Sequence, residues 1–535
     1  MDFYKVKRLY HTLKYLKFTQ VYHQIKYRLD KPKRVATPWE GSFLQITLSD
    51  FPDKQKSLSV KNDNWIFDFL NLKQSFSQES LNWSFGDYGM LWTYNLNYFD
   101  WLHQDDVSKE QGLETLSQFY ATHAEKNPII LHPYPTSLRI INTAKFISKW
   151  NIKKEWLYYE LVSDLKFLNG RLEYHLLANH LLENAFALYI GGLITNQNDF
   201  TQKGKKLLVR ELKEQVLNDG MHYERSPMYH LIILERLLDA LNFASASNDD
   251  LQFVLKSYAT RMTGLAINWE DLDRIPMMQD SAYDIALPVP VLLKYSKSLL
   301  GEDYPSVPNG LQESGYRSLS SGNLSLFANV GSIGPTYQPG HAHADELNFE
   351  LFYKGKPVIV DTGVSTYEKN SRRELERSTI SHNCITVGDV NTSGVWSGFR
   401  VGRRAAVKVL NDEQEITAEH NAYRPLLTSR SWSVDGASII IEDVLLKKNG
   451  SQNQLDSIPA KGRLHIHPDV PVEKLSESSF KLGQKLVLTL EPETIGDGIW
   501  TEAFEYAKGY NRTITSKVIV YNCSNKMKIK ISEAC

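Results

Sequence analysis

The sequence has little cysteine, no long apolar run and almost no net charge. Only three of its 535 residues are cysteines: Cys384, Cys523 and Cys535. This odd, sparse set excludes a disulfide framework and lacks zinc-finger spacing, so any metal must be held by histidines and carboxylates. No run of about 18 apolar residues is present, and we expect no transmembrane helix. Lys plus Arg total 61 against 62 Asp plus Glu, which argues against a nucleic-acid partner.

The first 60 residues form a basic N-terminal extension. Residues 1–35 carry ten Lys or Arg side chains and two acids, with apolar residues between them at helical spacing. This pattern predicts a solvated amphipathic helix, and contact with a membrane surface or an acidic partner is the alternative. The segment has no apolar core and no small-residue cleavage site, so it does not resemble a secretory signal and we expect a cytoplasmic protein.

Two larger domains follow, at 61–308 and 309–535. Between about residues 110 and 300, apolar side chains recur at positions i, i+3, i+4 and i+7, which predicts successive antiparallel helices in a bundle or a toroid. After about residue 310, short alternating and β-branched runs predict an antiparallel β-sandwich. The fold class is therefore an α+β multidomain protein, with a cleft where the two domains meet.

Aromatic residues are abundant, with 28 Tyr, 22 Phe and 11 Trp. Tyr and Trp stack on flat ligands such as sugar rings or bases. Four of them crowd a short stretch ahead of the helices: Trp92, Tyr94, Tyr98 and Trp101. We predict that Trp92 and Tyr98 contact substrate, and packing in the core is the alternative.

A first polar cluster lies at residues 174–184, within an otherwise apolar segment. On a helix, Asn179, His180 and Glu183 share one face because they are three and four residues apart. The alternative is a hydrogen-bonded polar face on a packed helix.

A second polar cluster covers residues 219–230. Ser226 and Pro227 are typical of a helix start, which places Tyr229 in the first helical turn. The helix dipole there favours negative charge and would help Tyr229 to ionise. A capped helix with an ordinary amphipathic tyrosine is the alternative.

A third cluster begins at Gly340. The residues His341 and His343 form a His-x-His pattern, and on a strand both side chains point to the same side. His343, Asp361 and His382 are candidate ligands for zinc, which accepts imidazole and carboxylate in tetrahedral geometry.

Taken together, these residues resemble the heparinase II/III family of polysaccharide lyases, which includes heparinase-like and alginate-lyase-like enzymes. Several separate stretches agree in order, and they span about residues 90–400: LWTYNLNYFDWL (91–102), PTSLRIIN (135–142), ANHLLENAFAL (178–188), DGMHYERSPMYH (219–230), GHAHADELNFEL (340–351), VDTGVSTY (360–367) and RSTISHNCITVG (377–388). The resemblance implies an (α/α) toroid followed by an antiparallel β-sandwich.

The resemblance also implies a reaction. Such enzymes cleave uronic-acid glycans by β-elimination, in which a base removes the C5 proton and the C4–O bond then breaks. Asn179 and His180 would neutralise the sugar carboxylate, because the C5–H is a poor acid while that group is anionic. Tyr229 would act as base if its pKa is lowered, or would donate a proton to O4 if its pKa stays high. His341 would be the opposite partner.

Further roles follow from the same resemblance. Arg139 would pair with the substrate carboxylate, Glu183 would orient His180 or contact sugar hydroxyls, and Tyr367 is a weaker candidate for a second tyrosine. A structural zinc ion would be held by His343, Asp361 and His382, and no organic cofactor is implied. Because the net charge is near zero, the positive potential for an acidic glycan must be local, from Arg139, the histidines, Arg400, Arg403 and Arg404.

Two other functions stay open at this point. A uronyl C5-epimerase begins with the same proton abstraction but cleaves nothing, and a non-catalytic glycan-binding or assembly protein would keep only the groove. The absence of an export signal suggests a role in bacterial capsule or exopolysaccharide metabolism. A homodimer is a further expectation.

Overall fold

A computed structural model describes residues 3–61, 64–77, 81–122, 127–301, 310–388, 390–447, 459–494 and 498–534. The predicted domain boundary at 308/309 lies outside these ranges. In the described residues, no helix is long and apolar enough to cross a bilayer.

Twelve α-helices are found in the part of the chain that is described. They are α1 (Phe3–Leu13), α2 (Phe18–Leu29), α3 (Met90–Tyr98), α4 (Lys109–Ala121), α5 (Pro133–Trp150), α6 (Glu155–Gly170), α7 (Ala178–Thr195), α8 (Asn198–Gln215), α9 (Pro227–Ala246), α10 (Leu251–Ala266), α11 (Val289–Leu300) and α12 (Ser371–Glu376). The helical pattern predicted from apolar spacing between about 110 and 300 is confirmed by α4 to α11.

The strands follow the helical part, except for three that precede it. They are β1 (Leu58–Lys61), β2 (Asn64–Phe69), β3 (Leu72–Ser77), β4 (Gly310–Leu311), β5 (Tyr316–Ser321), β6 (Leu324–Asn329), β7 (Phe349–Tyr353), β8 (Lys356–Ile359), β9 (Ile385–Val387), β10 (Val395–Trp396), β11 (Arg400–Val401), β12 (Val407–Asp412), β13 (Ile416–His420), β14 (Leu426–Asp435), β15 (Ser438–Lys447), β16 (Ala460–His465), β17 (Val472–Lys474), β18 (Ser479–Leu482), β19 (Leu486–Pro492), β20 (Ile499–Ala507), β21 (Thr513–Asn522) and β22 (Lys526–Glu533).

The helical part is built around helices that are apolar on nearly all sides. In α7 every residue except His180 and Leu193 is buried, and α9 is buried to a similar degree. A helix of this kind must be covered by other helices all round. It is: α7 packs against α5, α6, α8 and α9, and α9 packs against α10 and α11. This enclosed arrangement is the predicted (α/α) toroid.

A three-stranded sheet covers one side of the toroid, in a region for which the sequence analysis predicted no strands. The strands β1, β2 and β3 pair antiparallel in that order. Along β2 every second residue is buried, and Trp65 and Phe67 pack on Trp101. In the sequence the alternation is interrupted by the apolar Ile66, so Asn64–Phe69 carries only a weak strand signal.

The C-terminal part is a sandwich of antiparallel sheets. One layer is eight-stranded, in the order β12-β13-β14-β15-β22-β19-β18-β17. A five-stranded sheet (β4 to β8) and a four-stranded sheet (β20-β21-β16-β9) share its core, and a bridge between Ile359 and Ile466 links these two. Trp432 and Phe349 are among the fully buried residues of this core. The predicted β-sandwich is confirmed.

Two local predictions are wrong. The His-x-His pair lies in the loop between β6 and β7 and not on a strand. The polar cluster at 174–184 is helical only from Ala178, where α7 begins, because Leu177 and Ala178 adopt positive φ angles of 63° and 54°. Both errors fall at the cleft, where the chain departs from regular structure.

Candidate active site

A cavity of about 860 Å³ opens between the toroid and the sandwich. Its walls include Asn179, His180, Tyr229 and His341, so the four predicted catalytic residues converge on one space. Three come from the toroid and the fourth comes from the loop that precedes β7. Residues of α1 and α2 also line this cavity, which the sequence did not indicate.

Asn179 is held in place by a buried carboxylate. The backbone N–H of Asn179 donates to Glu224 Oε1 over 2.9 Å, and its Nδ2 donates to Glu224 Oε2 over 3.0 Å. The same Nδ2 lies 3.4 Å from Nε2 of His341. The amide is therefore fixed with its donor directed toward the imidazole across the cleft.

His341 is oriented by Asp280. Nδ1 of His341 lies 2.8 Å from Asp280 Oδ2, and the backbone N–H of Asp280 donates to the His341 carbonyl over 3.1 Å. Since the carboxylate accepts a hydrogen bond from Nδ1–H, the neutral ring carries its lone pair on Nε2. That nitrogen lies at the cavity, close to Asn179 and 3.4 Å from Glu224 Oε2.

Asp280 is kept ionised by its neighbours. Burial opposes its charge, but Arg373 and hydrogen bonds from His341 and His343 hold the pKa of Asp280 well below its usual range. Arg373 makes two contacts to the carboxylate, at 2.5 and 2.7 Å. A paired, ionised carboxylate is what fixing the His341 tautomer requires.

Tyr229 stands against His341 in the first turn of α9. The Ser226 side chain caps this helix by accepting from the Tyr229 N–H over 3.3 Å, as predicted. The rings of Tyr229 and His341 lie 4.0 Å apart between centroids, and the Tyr229 hydroxyl is 3.4 Å from that of Tyr367. Burial raises the pKa of Tyr229 well above its ordinary value. Burial thus opposes the ionisation that the helix dipole is expected to favour, and the net direction is toward the protonated phenol.

His180 is charged more readily than an ordinary histidine. Burial works against its charge, but the carboxylate of Glu173, 3.1 Å from His180 Nδ1, raises the pKa of His180 above its ordinary value. Its side chain is 30% exposed and borders the cavity, and the ring packs on Tyr134 at 4.6 Å between centroids. A histidine whose protonation is favoured by Glu173 therefore stands beside Asn179.

Glu183 lies deeper in the same wall. Neither of its carboxyl oxygens has a hydrogen-bond partner, and Arg236 Nε is 3.5 Å away. Burial raises the pKa of Glu183 to about 7, although the charge of Arg236 works in the opposite direction. Arg236 borders the cavity and is also near Asp100, Glu235 and Asp239. The predicted contact of Glu183 with His180 is not formed.

Two predicted substrate contacts are wrong. Arg139 is fully buried and donates from Nε to Asp164 Oδ2 over 2.8 Å, because the toroid needs a cation to balance that buried acid. Trp92 is also fully buried and packs on Phe69, since the missed sheet β1 to β3 covers it. Neither side chain lines the cavity.

Other predicted residues do reach the cavity. Tyr98 and Tyr367 line it, as do Tyr94, Arg400 and Arg404. Arg403 instead donates to the carbonyls of Ala422 and Asn391, and Trp101 is buried in the core.

The predicted zinc ligands lie together beneath the cleft. His382 Nδ1 is 2.8 Å from Asp361 Oδ2, and the rings of His343 and His382 are 5.3 Å apart between centroids. His343 Nδ1 and His382 Nε2 are buried without hydrogen-bond partners, so two imidazole nitrogens are free to bind a metal. Within the described ranges, however, no group of three or more His, Cys, Asp or Glu side chains is arranged to hold an ion. The predicted three-ligand set is therefore only partly preformed.

The residues that support the site could not be recognised from the sequence. Asp280 and Arg373 orient His341, and Glu224 fixes Asn179. Asp280 carried no motif, since it lies in a loop far along the chain from His341. Glu224 stood inside the second cluster, but nothing in its spacing connected it to Asn179.

Comparison with known proteins agrees with this architecture. The model "Heparinase II/III N-terminus" matches residues 131–286, and "Heparinase II/III-like, C-terminal" matches residues 305–532. Curated relatives include heparin-sulfate lyases from Pedobacter heparinus, 24% identical over 57% of this chain and 49% of the relative, and from Bacteroides stercoris, 24% identical over 73% and 61%. The chain thus spans about half to three fifths of the length of these relatives.

Solved structures show the same fold. A heparinase III structure has a TM-score of 0.63 at 15% identity, covering 83% of this chain and 76% of that one. A heparan sulfate lyase from Pedobacter heparinus has a TM-score of 0.56 at 15% identity, covering 96% and 87%. Together the two family models cover most of the chain, from the toroid to the end of the sandwich, and the chain belongs to the heparinase II/III family.

Proposed function

We propose that this protein is a polysaccharide lyase that cleaves a uronic-acid glycan by β-elimination. The observation that carries the proposal is the convergence of Asn179, His180, Tyr229 and His341 on one cavity, with the Tyr229 and His341 rings in contact. Elimination needs a carboxylate-neutralising group, a base and an acid, and this set supplies all three.

The carboxylate is neutralised by Asn179 and His180. When C5 loses its proton, negative charge moves onto the carboxylate of the same sugar. A cationic imidazole and a fixed amide donor stabilise that charge. Glu173 keeps His180 charged, and Glu224 keeps the Asn179 amide from rotating.

His341 is the base. Its Nε2 carries the lone pair because Asp280 accepts from Nδ1–H, and Nε2 borders the cavity. The ionised Asp280 also stabilises the imidazolium that forms when His341 takes the C5 proton. Asp280 contacts both His341 and Arg373, and this arrangement supports the assignment of His341 Nε2 as a proton acceptor held in a fixed orientation.

Tyr229 is the acid. Its raised pKa keeps the phenol protonated, so it has a proton to give to the O4 leaving group. The Tyr229 and His341 rings are in contact. This closeness suits a base that acts at C5 and an acid that acts at the oxygen on the neighbouring C4. After reaction the proton on His341 returns to solvent and Tyr229 is reprotonated.

The substrate in this proposal is an acidic glycan of the glycosaminoglycan type. Two lines of support are the heparin-sulfate lyases among the relatives and the arginines Arg400 and Arg404 on the cavity wall. A link to capsule or exopolysaccharide metabolism belongs to the same proposal and needs its own genetic test.

The experiment is a screen of the purified chain against heparan, chondroitin, alginate and capsular polymers, followed by ultraviolet absorbance of the unsaturated product. We expect absorbance to grow with at least one polymer. Absence of any unsaturated product, together with solvent deuterium entering C5, would instead identify a C5-epimerase. Glycan binding without either change would identify a binding protein.

A structural zinc ion is a separate proposal. The unpartnered nitrogens of His343 and His382 support two ligands. Asp361 now contacts Nδ1 of His382, on the opposite side of the ring from the unpartnered Nε2, and would have to turn away from that nitrogen to become the third ligand. Bound there, the ion would fix the loop that carries His341, and no step of the elimination depends on it.

A further inference from the structure

The helix α1 leaves its apolar stripe uncovered. Four large apolar side chains follow the i, i+3, i+4, i+7 pattern, which places them on one face: Val6, Leu9, Tyr10 and Leu13. They are between 41% and 64% exposed. An amphipathic helix of a globular protein normally turns such a stripe to the core.

The helix α2 also leaves an apolar stripe uncovered. Its stripe continues the pattern over five positions: Phe18, Val21, Tyr22, Ile25 and Leu29. These side chains are between 42% and 83% exposed. The two stripes together contribute nine of the 26 exposed large apolar residues in the described chain, although α1 and α2 form only a small part of it. We call these nine residues the N-terminal apolar patch.

The helix α2 is attached to the protein through its other face. Gln20 donates to the carbonyls of Leu176 and Tyr337, each over 3.3 Å, and Tyr27 donates to the carbonyl of Leu172 over 2.6 Å. The attachment is thus polar. The apolar stripe stays exposed, with Val21 and Ile25 on the side of the cavity and Phe18, Tyr22 and Leu29 away from it.

The helix α1 is attached in the same way. Arg8 stacks on Trp396 at 4.4 Å, Trp396 Nε1 donates to Thr12 over 3.2 Å, and Arg404 stacks on Tyr15 at 3.9 Å. Since both helices are held by polar and aromatic contacts, the uncovered stripes are a stable feature of the surface.

The segment that carries the patch has an excess of positive charge. Residues 1–35 contain ten Lys or Arg and two acids. Two of these cations pair within the protein, Lys17 with Glu214 and Arg34 with Asp164. Four others, Lys5, Lys7, Lys26 and Arg28, have no ion-pair partner among the described residues.

We propose that α1 and α2 bind the surface of an anionic lipid bilayer, lying in the interface with the N-terminal apolar patch toward the acyl chains. Such a surface offers anionic headgroups and apolar area together, which matches the cations and the patch. An acidic glycan satisfies the cations but offers no apolar area for nine large side chains. Aromatic residues such as Tyr10, Phe18 and Tyr22 are also typical of interfacial segments.

Binding would bring one wall of the cavity close to the lipid surface. Leu9, Leu13, Val21 and Ile25 of the patch also line the cavity, so this wall adjoins the proposed lipid contact. This placement does not depend on the reaction that the cavity performs.

The experiment is sedimentation of the full chain with two kinds of vesicle, one of phosphatidylcholine alone and one that also contains phosphatidylglycerol. We expect binding to the anionic vesicles that falls as salt rises, and binding at least about tenfold weaker to the neutral ones. Binding to neither kind, or equal binding to both, overturns the proposal.

A variant pair isolates the patch. Phe18→Asp combined with Leu29→Asp changes two side chains that are 83% and 81% exposed and do not line the cavity. The control is Phe253→Asp, because Phe253 on α10 is 73% exposed and lies outside the patch. We expect the double variant to lose vesicle binding about tenfold or more and the control to keep it, with the same melting temperature for all three proteins.

Two results would contradict the proposal at this stage. Equal vesicle binding by the double variant and the control would show that the patch does not contact lipid. A change from dimer to monomer in the double variant, measured by light scattering without vesicles, would show that a second copy of the chain covers the patch.

Discussion

The imidazole of His341 is locked to the carboxylate of Asp280, with 2.8 Å between Nδ1 and Oδ2, although the two residues belong to different domains. This contact fixes which ring nitrogen faces the cavity. It also joins toroid and sandwich at the point where the Tyr229 ring meets the His341 ring, so the site exists only when both domains are folded together.

Replacing Tyr229 by Phe should abolish elimination while leaving binding intact. The variant keeps the ring that packs on His341 but loses the only proton we assign to O4, so we expect kcat to fall by about two to four orders of magnitude. The matched control is Tyr223→Phe, a buried tyrosine of the same segment that does not line the cavity. A Tyr229→Phe variant that keeps its kcat removes Tyr229 from the reaction.

Replacing Asp280 by Asn should lower kcat and stability together. The amide no longer fixes the His341 tautomer, and Arg373 is left as an unpaired buried cation, at a cost of about 3–5 kcal/mol. Asp443→Asn is the control, because Asp443 pairs with buried Arg430 far from the cavity. We expect both variants to melt earlier in a calorimeter and only Asp280→Asn to lose kcat. Equal kcat in the two would contradict the orienting role.

The pH dependence of activity should move with Glu173. His180 must be charged to neutralise the substrate, so activity falls as pH rises through its raised pKa. Glu173→Gln removes the carboxylate that raises this pKa, and the alkaline limit of kcat/KM should shift to lower pH. Glu211→Gln, a buried acid outside the cavity, should leave the profile in place. An unchanged profile in Glu173→Gln excludes His180 as the titrating group.

The same pair contributes to stability. A histidine whose pKa is raised on folding stabilises the protein fully below its ordinary pKa of about 6.5, and this stability is lost as pH rises through the raised value. In denaturant unfolding, Glu173→Gln should therefore lower the free energy of unfolding more at pH 5.5 than at pH 9.

Glu183 and Glu235 flank Arg236 and should respond to pH in opposite ways. Burial raises the pKa of Glu183 to about 7, so its ionisation destabilises the folded state progressively as pH rises from about 4.5 to 7. Glu183→Gln should then raise the unfolding free energy at pH 8 by about 3 kcal/mol and leave it unchanged near pH 4. Arg236 keeps three other carboxylates in this variant.

Glu235→Gln is the contrasting variant. Burial opposes the charge of Glu235, but Lys54 and Arg236 lower its pKa to about 2. Its ionised form therefore stabilises the protein above about pH 4.5, and this contribution is lost as pH falls through 2. Denaturant unfolding at pH 8 should show a lower free energy of unfolding for Glu235→Gln and a higher one for Glu183→Gln than for the wild type. A loss in both would contradict the assigned direction for Glu183.

Removal of zinc should lower the melting temperature, and no step of the elimination reaction depends on the ion directly. If His343 and His382 hold an ion, elemental analysis of the purified chain should find about one zinc per chain, and a chelator should lower the melting temperature. His382→Ala should abolish the metal content, whereas His420→Ala, another buried histidine, should keep it. A metal-free chain whose melting temperature does not respond to chelator excludes the ion.

Much of the fold could be predicted because apolar spacing reports burial directly. The helices α4 to α11 follow the apolar spacing of their sequences, and the strands β15, β19 and β21 lie in alternating or β-branched runs. The sheet β1 to β3 was missed because its strands are short and Ile66 interrupts the polar–apolar alternation of Asn64–Phe69.

The site was only partly predictable, for a different reason. Asn179, His180, Tyr229 and His341 stand in motifs, and the structure brings them together. Arg139 stood in a motif as well, but the need to balance buried Asp164 outweighs any role at the surface. Asp280 and Glu224 act through tertiary contacts with residues that are distant along the chain. Such contacts cannot be predicted from the spacing of residues in one sequence.

The most direct test is the product formed from a uronic-acid polymer by wild type and by Tyr229→Phe in deuterated water, followed by proton NMR. We predict an unsaturated uronate, with a C4–C5 double bond at the new chain end, from the wild type and none from the variant. An intact polymer with deuterium at C5, or an unsaturated product formed equally by both proteins, would contradict elimination by His341 and Tyr229.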